Sequence, residues 1–471
     1  MNCFPPTWKS VRSYVRKRVI HSFSFGYNNV MRKFLAIIVC KITKKICKYF
    51  GRGSSFPGQI ALKICPDILS RIRLPENIIA VSGSNGKTST VEMIHSIIEK
   101  AGMTLAYNYE GSNQIEGVTT LVLSNCDNSG NFLKDVLLIE ADERYAKYIF
   151  SYITPKYYVI NNLYRDQMTR NGHPEYVLSD IAKSIHEGCT LVLNADDPLI
   201  SSLSKRFDND VVFFGVEENP YISEVCKSVY DDGYYCPVCK KKMVYEYRQF
   251  AHVGNYECKS CGFKRADPDY KITDLDLENG RITINDSTSI DLALHTIFNA
   301  YNVLAAYSIG SLLGIDEKTI ISTLNDYLIA NGRIKRFKIG ETEGTLLISK
   351  HENTISYDRN IEYVTGKEKI TLLLIIDDIS RKYFTSDTSW LWDIRFEMLA
   401  KDSVAKIVVA GKYISDVAIR LEYAGIDMDK VVLFKQTAEA VNYLRDHTEG
   451  ELFALTCFSD EGKLLKEVVT L

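Results

Sequence analysis

The sequence contains no run of the ~20 consecutive apolar residues that a membrane-spanning helix needs. The nearest, Phe34-Leu-Ala-Ile-Ile-Val-Cys40, is broken by Lys41, Lys44 and Lys45. No secretory signal is evident, because the basic start lacks a clean apolar core and a small-residue cleavage site. The expectation is a cytoplasmic protein. An excess of either charge is also missing. The formal net charge is −2 over 471 residues, so no global field argues for nucleic acid or an acidic membrane. The exception is local: residues 9–52 hold many Lys and Arg and no acid. Hydrophobic content of 46% and charged content of 25% suit a globular protein, and the length suits two or three domains. Cysteine is not scarce, at twelve residues. Four fall in two C-x-x-C pairs and the rest are scattered, which argues for free thiols and a metal site rather than disulfides.

What is present centres on Ile78-Ile-Ala-Val-Ser-Gly-Ser-Asn-Gly-Lys-Thr-Ser-Thr90. An apolar strand stops at a glycine turn, Lys87 and Thr88 follow, and a helix-compatible segment begins. That order suits a phosphate-binding loop. Gly83 and Gly86 let the backbone approach an anion, and the N–H groups and dipole of the new helix favour it. Lys87 adds a full charge, and the Thr88 hydroxyl can reach a magnesium ion. Val81 stands where the common P-loop pattern has its first glycine, so the loop is a shorter form.

From Ile78 to about Val216, short apolar strands alternate with helical stretches, which predicts a parallel sheet covered on both faces. Glu140, Asn161 and Asn194 fall at predicted strand ends, on the edge where such sheets bind ligands. Asn299 and Asn302, three apart near a helix start, suit recognition of a base or ribose. Arg333 after Gly332 could reach a phosphate. Residues 338–471 read as a second α/β unit, with strands at 369–376, 405–410, 431–434 and 452–456. Trp390 and Trp392 read as core or interface, and Asp387 and Asp393 as surface-capable carboxylates. Near the N-terminus, residues 1–30 read as a basic extension. Residues 31–50 read as an amphipathic helix with lysines on its other face. That helix either packs on its own domain or lies on a membrane surface.

Cys236-Pro-Val-Cys239 and Cys258-Lys-Ser-Cys261 are separated by eighteen residues. Two such knuckles predict a four-thiolate zinc ribbon, inserted at about 224–270. All four positions are filled, so the zinc reads as structural. Acids in the insert offset its lysines, so nucleic acid is not expected as a partner.

Gly83-Ser-Asn-Gly-Lys-Thr-Ser-Thr90 resembles the nucleotide loop of the Mur ligase superfamily, and the chain resembles the MurT family within it. The four-cysteine insert carries that narrower resemblance. So do Phe56-Pro-Gly-Gln-Ile-Ala-Leu-Lys63, Asn108-Tyr-Glu-Gly-Ser-Asn113, Glu140-Ala-Asp-Glu143, Asn162-Leu-Tyr-Arg-Asp-Gln167 and Asp387-Thr-Ser-Trp-Leu-Trp-Asp393. The resemblance implies an α/β fold with a central ATP-binding domain over 31–335 and a C-terminal Rossmann-like domain over 338–471. It implies ATP-dependent amidation, through an acyl-phosphate, of the D-glutamate α-carboxylate of the lipid II stem peptide. Ammonia would come from a GatD-type glutaminase partner, and the lipid II substrate would place the protein at the inner face of the membrane.

Residue by residue, the resemblance implies ATP contacts from Gly83, Ser84, Asn85, Gly86, Lys87, Thr88 and Ser89. Asn194, Asp197, Asn299, Asn302 and Arg333 would add to these. Thr88 and Glu140 would hold Mg²⁺, while Asn108, Asn113 and Asp166 would serve the substrate side. Lys87 and Glu140 would be catalytic with Asp387, which would orient a histidine of the partner. Gln167 stands where many Mur ligases carry a metal-binding His. The chain departs from the superfamily at Lys335, at Lys350-His-Glu-Asn-Thr354 and around Tyr383–Asp387. Those departures keep two other readings open: a divergent Mur-type ligase on another carboxylate, and a silent nucleotide-binding subunit.

Overall fold

The structure is a computed structural model. It describes residues 8–49, 54–108, 112–328, 334–377 and 386–471, with side chains from residue 29 onward. Strands β1 (Asn77–Ser82), β2 (Leu105–Tyr107), β3 (Val136–Glu140), β4 (Tyr157–Ile160), β5 (Thr190–Asn194) and β6 (Val211–Val216) alternate with helices. A hairpin of β7 (Val244–Phe250) and β8 (Val253–Glu257) follows, then β9 (Tyr270–Asp276), β10 (Arg281–Ile284) and β11 (Thr288–Asp291). The first sheet has the order β11-β10-β9-β6-β5-β4-β1-β3-β2. It is parallel from β2 through β9 and antiparallel only at β9–β10–β11. β1 lies between β3 and β4, so the winding reverses there. The crevice outside the carboxyl ends of strands at such a reversal is where open sheets bind ligands.

The sheet is parallel because its strands are apolar along their length and covered on both faces. Every residue of β3 is buried, including Glu140 at its end. Helix Lys87–Lys100 packs Val91, Ile94, Ile97 and Ile98 with Ala300 and Leu304 of helix Ile297–Leu312 on one face. Helices Phe56–Ile64 and Ile115–Ser124 cover the other, together with Ala36, Ile37 and Cys40 of helix Trp8–Tyr49.

The second sheet comprises β12 (Ile334–Ile339), β13 (Thr342–Ser349), β14 (Ile370–Ile375), β15 (Val404–Ala410), β16 (Val431–Phe434), β17 (Glu451–Cys457) and β18 (Val469–Thr470). Its order is β16-β15-β14-β17-β13-β12-β18. The strands from β16 to β13 are parallel, with β12 and β18 added antiparallel at the edge.

Three sequence expectations are corrected. The helix expected over 31–50 is the latter part of a single helix, Trp8–Tyr49, so no element boundary falls at residue 30. The inserted lobe is wider than 224–270, because β6 ends at Val216 and β9 resumes the same sheet at Tyr270. The strand pair expected over Tyr270–Asp291 is three strands.

Candidate active site

The loop after β1 is shaped by two glycines and two asparagines. Gly83 has φ +133° and Gly86 has φ +82°. A Cβ on Gly83 would come within 2.9 Å of the Asn162 carbonyl oxygen, and one on Gly86 within 2.0 Å of Asn302 Oδ1. Asn162 braces the turn from both sides: Asn85 N donates to its Oδ1 at 2.8 Å, and its Nδ2 donates to Asn85 O at 3.1 Å. Helix Lys87–Lys100 then begins, facing a cavity of about 1040 Å³. Its walls include Ser84–Ser89, Asn113, Glu140, Asn299, Asn302 and Lys350. The cavity thus lies between the two sheets and is large enough for a nucleotide plus a second substrate.

Charge is concentrated at the loop. Lys87 Nζ donates to Gly83 O and, at 2.9 Å, to Glu143 Oε2. Burial opposes the charge on Lys87, but Glu143, Asp142, Glu140 and Asp166 outweigh it and hold the ammonium above its ordinary range. Burial likewise pushes the Glu143 carboxyl up, and Lys87 and Lys350 overcome this and hold it low. Thr88 Oγ1 donates to Glu140 Oε2 at 2.9 Å. A threonine hydroxyl and a carboxylate side by side are the hard oxygen donors that Mg²⁺ prefers, so these two residues fit that ion.

The C-terminal unit completes the site. Asp166 pairs with Lys350 and accepts from Asn353 Nδ2 at 2.9 Å. Lys350 Nζ also donates to Ser84 O at 2.9 Å, and Asn85 Nδ2 donates to Asn353 Oδ1 at 3.2 Å. The segment Lys350–Asn353 therefore grips the loop after β1. Sequence reasoning assigned no role to Lys350 or Asn353. The available signal was position: both follow the apolar run of β13, at its carboxyl end. Asp142 and Glu143 were quoted within a motif without a role, and both line the cavity.

The other expected residues divide. Asn113 lines the cavity and lies 3.4 Å from Glu140 Oε1 through its Nδ2. Asn108 is buried behind Glu140 instead, exchanging hydrogen bonds of 2.8 Å with its backbone N–H and carbonyl. Asn302 reaches Gly86, and Asn299 lines the cavity with a buried Nδ2 that has no hydrogen-bond partner. Asn194 and Asp197, expected as nucleotide contacts, are both buried and do not line the cavity. Asn194 Nδ2 donates to Asn161 O at 3.0 Å, and Asp197 caps the turn after β5 by accepting from Leu199 N at 2.9 Å. Arg333 lies outside the described residues. Asp387 is exposed, accepts from Ser389 N at 2.9 Å, and is not on the cavity wall. Trp390 is buried, whereas Trp392 is partly exposed beside Tyr423.

The four cysteines of the insert converge, with Sγ atoms all within 4.8 Å of one another. Cys236 and Cys261 are 3.7 Å apart, and Cys239 and Cys258 3.5 Å. A tetrahedron with Zn–S bonds of ~2.3 Å has edges of ~3.8 Å, so the thiols fit zinc. The two knuckles are built alike: Lys240 N returns to Cys236 O and Gly262 N to Cys258 O, each at 2.9 Å. The lobe folds back on the first sheet. Arg265 Nε donates to Asp196 Oδ1 at 2.6 Å, and Tyr256 OH to Ala195 O at 2.9 Å.

Comparison with known proteins agrees with this geometry. Residues 81–245 match the family model of the Mur ligase middle domain, and residues 351–460 that of the MurT ligase C-terminal region. The chain is 31% identical over 420 residues to the MurT subunit of lipid II isoglutaminyl synthase (glutamine-hydrolyzing) from Staphylococcus aureus, covering 88% of this chain and 93% of that one. It is 30% identical over 407 residues to the corresponding subunit from Streptococcus pneumoniae, covering 85% and 89%. Among solved structures, a pseudomurein peptide ligase type C from Methanothermus fervidus superposes with a TM-score of 0.61 at 21% identity, covering 84% of this chain and 79% of that one; it shows the shared fold. On these matches the chain belongs to the MurT family of the Mur ligase superfamily.

Proposed function

We propose that this protein is the synthetase subunit that amidates the D-glutamate α-carboxylate of the lipid II stem peptide, using ATP and ammonia delivered by a glutaminase partner. The observation that carries the reading is the joint between Ser84–Thr88, Glu140 and Lys350 in one cavity, in a chain whose relatives are named for that reaction. A carboxylate is a poor electrophile, and phosphorylation gives it a leaving group. Such transfer is catalysed mainly by positioning and charge neutralisation. Lys87 would leave Glu143 for the β- and γ-phosphates, and the N–H groups opening helix Lys87–Lys100 would hold the same anion. Mg²⁺ held by Thr88 and Glu140 would offset the phosphate charge. Asn299 would use its unpartnered amide on the nucleotide, with Asn302 beside it. Asn113 and Asp166 would face the carboxylate substrate. Asp387, exposed on the C-terminal unit, would face the partner and orient its histidine. The four cysteines would hold structural zinc.

The test is amidation of lipid II with glutamine and the co-purified partner, followed by product mass. Wild-type protein gives amidated lipid II. Lys87→Ala and Glu140→Ala abolish it, and full activity in either variant overturns the reading.

A further inference from the structure

We infer that helix Trp8–Tyr49 docks this protein on an anionic lipid bilayer through its outer face. Met31, Phe34, Leu35, Ile42 and Ile46 recur at helical spacing and are each 47–55% exposed. They form one stripe along the helix. The residues that bind the helix to the body, Ala36, Ile37 and Cys40, lie about half a turn away and are fully buried. The helix is therefore apolar on two opposite sides, and only one is covered by the fold. It is fixed in that orientation: Lys41 Nζ donates to Cys126 O at 2.6 Å, and Arg32 Nε to Ile64 O at 3.1 Å.

Charge selects the occupant. Residues 9–52 contain twelve Lys and Arg and no Asp or Glu, in a chain whose net charge is −2. A basic helix with an exposed apolar stripe suits an acidic membrane surface. No helix among the described residues is long and apolar enough to cross a membrane, so the contact is superficial. This surface is independent of the ATP site, although it would bring a lipid-linked substrate to the cavity if the proposed function holds.

The experiment is co-sedimentation of the full chain with phosphatidylcholine vesicles, with and without about 30 mol% phosphatidylglycerol. Binding should require the anionic lipid and fall with added salt. Lys45→Gln with Lys48→Gln should weaken it about twenty-fivefold, at about fivefold per surface lysine. Phe34→Ser with Ile42→Ser and Ile46→Ser should weaken it about a hundredfold, from the apolar area no longer inserted. ATP binding, read by calorimetry without vesicles, should stay at the wild-type value in both variants. This shows that they fold and separates docking from catalysis. Failure to bind the anionic vesicles, or equal binding by the apolar variant, overturns the inference. So does self-association of the wild type that the apolar variant abolishes, since the stripe would then be a copy-to-copy interface.

Discussion

Replacing Lys87 by methionine separates the structural role of the Lys87–Glu143 pair from its role toward ATP. The pair is 2.9 Å long, with side chains only 9% and 4% exposed. Methionine keeps much of the volume and removes the charge, which strands the Glu143 carboxylate. Breaking a buried pair from one side costs about 3–5 kcal/mol. Lys350, which also acts on Glu143, keeps the loss near about 3 kcal/mol, the lower end of that range. Adding Glu143→Gln removes the stranded charge, so the double variant should regain most of the stability. The pH dependence follows from the sign of each shift. In the wild type Glu143 is held low, so its contribution is present above ~4.3 and lost as pH falls through the depressed value. In Lys87→Met, burial instead raises the carboxyl, and the deficit grows as pH climbs from ~4.3 through the raised value. Urea unfolding at about pH 5 and about pH 8 reads both effects. ATP at ~100 times its Kd should stabilise the wild type by about 2.7 kcal/mol and leave both variants unmoved. A double variant no more stable than the single one would refute the pairing argument.

Three further outcomes are expected. Cys261→Ser should abolish the proposed zinc binding, read by atomic absorption, and lower the melting temperature, because the lobe's own core among the described residues is Cys236, Met243, Tyr256, Cys258 and Phe263 with Cys239 and Tyr245 packed against it; an unchanged melting temperature contradicts the structural role. Gly86→Ala should weaken ATP binding at least tenfold by calorimetry, since it combines a left-handed φ with a Cβ 2.0 Å from Asn302 Oδ1. Adding Asn302→Ala should relieve only the clash. Asp358 is buried beside Arg395, and burial pushes its carboxyl up to about 7. Its contribution is present below ~4 and lost as pH rises to about 7, so Asp358→Asn should flatten the stability profile across that window; an unchanged slope removes Asp358 as its source.

The parts legible in the sequence are those where local chemistry decides structure. β15 and β16 could be bounded closely because a short apolar run between helices has few alternatives. The glycine turn after β1 was legible because Gly83 and Gly86 answer a backbone need, and the cysteine cluster because paired C-x-x-C spacing brings four thiols together. The burial of Asn194 and Asp197 off the cavity wall was not legible, since an asparagine at a strand end looks the same in sequence whether it faces the crevice or braces the next strand. β12 and β13 went unassigned because Lys335, Arg336 and Lys338 break the apolar run of β12, which pairs with β13 on one side and with β18 on the other. Lys350 and Asn353 were missed for a different reason. Their partners, Ser84, Asn85 and Asp166, lie far back in the chain, and only tertiary folding brings the two units together.

That joint has a mechanical consequence. The groups proposed to meet nucleotide are satisfied within the chain: Lys87 by Glu143, Thr88 by Glu140, and Ser84 O by Lys350. Phosphate and Mg²⁺ would have to displace the first two pairings, and the third ties the loop to the end of β13. Beside it, Asp166 and Asn353 form an isolated bridge, and Gln167 N donates to Glu352 O at 3.1 Å. Gln167 and Glu352 have φ of +48° and +45°. Such conformations cost about 1–3 kcal/mol each for residues with a side chain and persist only where the surroundings enforce them. Here the enforcement comes from each unit acting on the other, with Glu352 also accepting from Thr169 N at 2.9 Å. Separating the units would release this strain together with the Lys350–Asp166 pair, so the joint opposes opening with its contacts and favours it with its backbone.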